Sequence, residues 1–153
     1  MSELLVRPSS WDLPLFVHVA GAMMVYASLV VAVAVLVVAR RSEGDERGAI
    51  TRFGFRTLLF VAIPSYLVMR IGAEWVLGRE NLNENAAWIG IGFSTADLGG
   101  LLLIIATILT GLGARRLRSG GGGARLATTG TFIVGFVIVI YTIAVWAMTT
   151  KPS

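Results

Sequence analysis

Four long apolar blocks, over residues 13–39, 55–77, 89–114 and 126–148, constrain this chain more than any other feature. A bilayer core about 30 Å thick takes about 20 helical residues to cross, and each block reaches that length. Within hydrocarbon, every backbone N–H and C=O must be satisfied inside its own segment, so such blocks become helices. A soluble core is the competing explanation. Charged residues make up only 14% of the chain, against roughly 25% in an ordinary soluble domain, and the mean hydropathy is +0.78. The fold class is therefore read as all-α: an antiparallel bundle of four transmembrane helices in one integral membrane domain spanning residues 1–153.

The connections set direction. Arg40, Arg41, Arg47, Arg52 and Arg56 lie between the first two blocks or at their edges, and Arg115, Arg116, Arg118 and Arg125 between the last two. The opposite side carries only Arg7, Arg79 and Lys151, with Arg70 inside the second block. Basic residues concentrate on the cytoplasmic side of membrane proteins. Both arginine-rich connections are thus expected inside, and both termini and the 78–88 loop outside. The formal charge of +4 reports this orientation signal and not a nucleic-acid surface. The first apolar block is too long for a signal-peptide core and lacks a clear basic leader, so it is expected to remain as the first helix. Trp11, Trp75, Trp88 and Trp146 all fall near the outer boundary, where an aromatic belt would place them.

Local features complete the outline. Pro64, near the middle of the second block, is expected to kink that helix or free a carbonyl. Residues 42–48 read as a solvated linker, and 119–123 as a flexible glycine-rich hinge. The latter lacks the Gly-Lys-Ser/Thr ending of a phosphate-binding loop. Short inner connections make spans one and two, and spans three and four, antiparallel neighbours. Small residues mark the expected contact faces: Ala20, Ala27 and Ala34 with Gly21 and Ser28 in span one, Ala96 with Gly100 in span three, and Thr131 with Gly135 in span four.

Composition narrows the chemistry. The absence of cysteine excludes disulfides and thiolate sites, and a single histidine cannot make a histidine-rich metal site. No nucleophile–base pair, catalytic carboxylate pair or cofactor motif is visible, so the reading leans away from an enzyme and assigns no cofactor.

The polar residues within the spans share a depth. At 1.5 Å per residue from each span's midpoint, His18 and Glu74 lie roughly 12 Å outward, and Arg70, Asp97 and Tyr141 roughly 6 to 7 Å outward. Tyr66, Arg70 and Glu74 fall on one helix face by their spacing of four. Ionisable side chains inside a membrane usually face the bundle interior, a water-filled cavity or one another. His18, Tyr66, Arg70, Glu74, Asp97 and Tyr141 are accordingly the candidate ligand-binding residues. Three readings stay open: a structural cluster with Arg70 paired by Glu74 and Asp97, an outward-open pocket in which Arg70 holds an anion, and a metal site on His18, Glu74 and Asp97. Arg70 opposes the last by repulsion.

Three segments carry a resemblance: Leu13-Pro14-Leu15-Phe16-Val17-His18-Val19-Ala20-Gly21-Ala22, the exit Arg40-Arg41, and the ending Ala144-Val145-Trp146-Ala147-Met148-Thr149-Thr150-Lys151-Pro152. They resemble small four-helix bacterial membrane proteins of actinobacterial type, a group with no assigned activity. The early histidine followed by a glycine step also resembles the membrane domain of copper-resistance D-type proteins. That second resemblance implies metal handling, but this chain departs from it in lacking further histidine or methionine ligands, so no metal residue is carried over.

The expectation is an integral membrane protein of the bacterial plasma membrane, an accessory or scaffolding component acting through helix packing. The alternative is a component that binds or transports a small molecule, proton or ion through an outward-facing polar pocket. Its expected partners are the lipid bilayer and either a second copy or another membrane protein.

Overall fold

The computed structural model describes residues 12–80 and 87–150, and all of these outside short turns are helical. Helix α1 covers Asp12–Arg41 and α2 covers Gly44–Thr57. A π-helical turn over Leu58–Ala62 joins α2 directly to α3, Ile63–Glu80. Then come α4, Ala87–Arg118, and α5, Ala124–Thr150. Since α2, the π turn and α3 form one rod, the described residues make four rods, each long and apolar enough to cross a membrane. It is an all-α, multi-pass membrane protein.

The helix ends follow the charges. Arg40 and Arg41 close α1, and Arg115, Arg116 and Arg118 close α4, where cations meet the negative end of the helix dipole. Asp45 and Glu46 open α2 at its positive end. This explains a departure from the expected linker at 42–48. Only Ser42 and Glu43 are non-helical, and Gly44 turns the chain at a φ of +56°, a conformation that favours glycine. The glycine-rich 119–123 segment also differs from a flexible hinge. Gly120, at φ +74°, ends α4 in a Schellman cap. The Gly121 N–H donates to the Arg116 carbonyl at 2.8 Å and the Gly120 N–H to the Leu117 carbonyl at 3.3 Å.

Pro64 acts through the turn that precedes it. It has no N–H, and in a regular α-helix its ring would press on the carbonyl four residues back. The five residues before Ile63 take the wider π register instead, with the Ile63 N–H donating to Leu58 O. Such bulges absorb a proline within an otherwise continuous rod.

As expected, α1 packs antiparallel on the second rod, and α4 on α5. Contacts of α2 with α4 and of α1 with α5 close the ring, whereas α3 scarcely touches α4. The bundle is therefore tight at its arginine-rich end and splayed at the other. Leu29, Ala32, Leu58, Leu103, Ala106, Val134 and Val137 are fully buried along its axis. The buried hydroxyls of Thr51, Thr107, Thr110 and Thr131 each donate to a carbonyl four residues back in their own helix, so they need no partner across the bundle.

The small-residue faces hold only in part. Gly21 and Ser28 are buried, but Ala27 and Ala34 point outward and Ala20 is half-buried. The face of α1 that packs carries Gly21, Val25, Ser28, Leu29, Ala32, Leu36 and Ala39. Alanine is as comfortable against lipid as against a helix, so a recurring alanine gives a period without saying which side it faces. In α5, Thr131 is buried while nothing approaches Gly135.

Candidate functional site

Two glycines bring α1 and α3 together. A Cβ on Gly21 would lie 2.5 Å from the backbone nitrogen of Met69, and one on Gly72 would lie 2.6 Å from that of His18. The contact is reciprocal, and backbone meets backbone on both sides. It also positions the only histidine: His18 Nδ1–H donates to the Met69 carbonyl at 2.9 Å. A carbonyl only accepts, so Nδ1 carries a proton, and in the neutral ring Nε2 is the acceptor nitrogen.

One guanidinium then ties α3 to α4. Arg70 Nη1 donates to Glu74 Oε1 at 2.5 Å, and Arg70 Nε to Asp97 Oδ1 at 3.1 Å. Its charged end lies 4.5 Å from the centre of the Phe93 ring, within cation–π range. One positive and two negative charges leave this group at a formal −1. The carboxylates are largely exposed, at 55% for Glu74 and 60% for Asp97, against 24% for Arg70. Since α3 and α4 otherwise hardly meet, Arg70 is their main link in this half of the bundle.

The two tyrosines sit one step further in, against consecutive glycines of α4. Tyr66 packs onto Gly100 and Tyr141 onto Gly99, where any side chain would collide with the phenol rings. The Tyr141 hydroxyl is buried there without a hydrogen-bond partner.

A cavity of about 880 Å³ opens in this outer half, between all four rods. Its inner sill is a hydrogen bond between α1 and α5. The Thr142 hydroxyl donates to Ile138 O at 2.8 Å, so the Tyr26 hydroxyl donates to Thr142 Oγ1, at 3.1 Å. Outward of that bond, α1 and α5 part. Val19 and Met23 on one side and Val145 on the other line the cavity while remaining 44%, 69% and 56% exposed. They form the exposed lips of an opening on the flank of the bundle, between α1 and α5. Phe93 and Ala96 of α4 form part of the back wall.

The six expected site residues therefore separate. His18, Arg70 and Tyr141 line the cavity; Tyr66, Glu74 and Asp97 do not. Arg70 is already engaged by two carboxylates, so the expectation that it holds an anion does not fit its geometry. No three His, Asp or Glu side chains group into a metal-binding set among the described residues, which also removes the His18–Glu74–Asp97 metal reading. Sequence reasoning missed the apolar lips and back wall, because Met23 or Val145 reads the same whether it faces lipid or a void. Trp75 and Trp146 are exposed at the outer end; Trp11 and the Trp88 side chain lie outside the described residues.

The class that fold and site define is a four-helix membrane protein with a laterally open cavity in one half of its thickness. Compared with protein families, curated proteins and solved structures, the chain matches none.

Proposed function

We propose that this protein is a membrane-embedded binding component that takes a lipophilic small molecule from the outer leaflet through the gap between α1 and α5. The observation that carries this reading is the 880 Å³ cavity walled by all four rods. Ligand pockets commonly measure about 300–1,000 Å³, with apolar walls and a few placed polar groups. The walls of this one are largely apolar, with His18, Arg70 and the hydroxyl side chains of Tyr26, Tyr141, Thr142 and Thr149 as the polar exceptions. Its sideways mouth favours a molecule already dissolved in lipid. The arginine asymmetry supports an outward orientation for this half, in keeping with a bacterial plasma membrane. The inner half, closed by Leu29, Leu58 and Leu103, favours holding a ligand over conducting it across. In the scaffolding alternative, a side chain from a partner helix fills the same opening.

The test is native mass spectrometry of the full chain released from its own membrane, beside Ala22→Phe and Ala96→Phe, which project rings into the cavity. A small molecule that stays with the wild type and is lost from both variants, with unchanged helicity, is the expected result. Retention of a partner protein in place of a small molecule would favour the scaffold. Equal retention by wild type and filled variants would reject the cavity as the site.

A further inference from the structure

We infer that the molecule held in this cavity is a neutral amphiphile bearing a hydroxyl or similar hydrogen-bond donor, which it gives to His18 Nε2. The inference rests on the cavity reading above and names the ligand's chemistry. Three observations lead to it.

The first concerns His18. With Nδ1–H given to Met69 O, the neutral ring is a fixed tautomer whose remaining polar atom accepts. No group among the described residues hydrogen-bonds Nε2, yet it is not a buried polar atom lacking a partner. It is therefore reachable, on a residue that lines the cavity. An acceptor on an apolar wall selects a ligand that donates, since a ligand without a donor leaves it unsatisfied.

The second concerns charge. Among the described residues Arg70 is the only cation lining the cavity, and Glu74 and Asp97 already hold it in a group of formal charge −1. An anionic headgroup would meet that net negative charge in a medium that screens poorly. The third is that none of the described lining residues is a carboxylate, so a cationic headgroup finds no counter-ion among them. Neither sign of charge is served, and a neutral polar head remains. The apolar part of the wall, including Ala22, Met23, Phe93 and Val145, suits an alkyl or aryl body.

The chain's single histidine makes this measurable. The full chain, labelled with ¹⁵N-histidine in nanodiscs, is titrated with a 4-alkylphenol, its O-methyl ether and the matching 4-alkylbenzoate. The phenol is expected to bind roughly three- to tenfold more tightly than the ether, the range of one neutral hydrogen bond, and to shift the Nε2 resonance alone. His18→Asn keeps an N–H where Nδ1 stood but has nothing at Nε2, so it should lose the preference for the phenol. His18→Gln carries an acceptor near the Nε2 position and should restore part of it. Equal binding of phenol and ether with no Nε2 shift would overturn the inference and leave the cavity reading intact. Tightest binding by the benzoate would also overturn it, in favour of Arg70 as an anion anchor. Binding of none of the three, alongside empty wild-type protein in the mass spectra, would bring down the cavity reading and the inference together.

Discussion

At the arginine-rich end the four rods are held by shape, and at the opposite end by a few polar contacts. Inward of the middle, Leu36 fills the space above Gly54, Phe55 lies over Gly111, and Thr110 packs onto Gly130. The threonine hydroxyls there bond within their own helices. Outward of the middle, α1 and α3 still cross closely at Gly21 and Gly72. Tyr66 packs onto Gly100, Tyr141 onto Gly99 and Met148 onto Gly92, and the remaining links are single bonds: His18 to Met69 O, Arg70 to Asp97, and Tyr26 to Thr142. Lipid tails are as apolar as leucine, so apolar area drives no closure between membrane helices, and association falls to close packing and hydrogen bonds. Where packing is continuous the bundle is solid. Where discrete polar links hold the helices apart, a cavity persists.

Four substitutions would break or sharpen that contrast, in descending order of expected effect. Gly72→Leu drives a side chain into the His18 backbone, which cannot yield. It should destabilise the detergent-solubilised protein by roughly 3 kcal/mol, the upper range for overpacking, read as loss of the folded fraction in thermal unfolding. Leu103→Ala, at the fully buried centre, should cost about 2.5 kcal/mol, near the low end for a leucine truncated to a cavity. Its effect on binding at the outer cavity should be slight. If Leu103→Ala abolishes binding while Gly72→Leu spares it, the division into a solid half and an open half is wrong.

Arg70→Met removes the tie between α3 and α4 and leaves Glu74 and Asp97 as unneutralised neighbours. The expected loss is about 2 kcal/mol, as for hydrogen bonds to charged groups. Because the chain has no native cysteine, spin labels at Ala73→Cys and Ser94→Cys report one distance cleanly. That distance should lengthen in Arg70→Met, while a pair at Ala49→Cys and Leu112→Cys should not change. Tyr26→Phe deletes only the sill between α1 and α5. A loss of about 0.6 kcal/mol, the average for interhelical hydrogen bonds in a membrane protein, is expected, together with faster ligand exchange. Slower exchange would show that the opening lies elsewhere.

Several parts of the site could be read directly from residues. The four-residue spacing of Arg70 and Glu74 predicts their pairing on one helix face, and shared depth brings Asp97 to the same arginine. His18 meets the second rod because short connections make the two rods neighbours. Other parts had no signal. Gly72 gives no warning that it is half of a reciprocal crossing, since its partner at Gly21 lies on another helix. Neither the helix face that carries Tyr66 nor the depth of Tyr141 tells which phenol lines the cavity; only Tyr141 does, because each reaches α4 from a different side.

Hydropathy and charge are properties of a segment against its solvent. For that reason the sequence alone determines the four rods, their alternation in direction, the gathering of arginines at one end and of ionisable side chains in the other half. Which face of α1 packs, which polar residues turn towards a common space and whether that space is empty are properties of the rods against one another. Only the tertiary structure decides them. A void is defined by what fails to meet, and when apolar side chains border both the void and the lipid, no pattern along one helix separates the two.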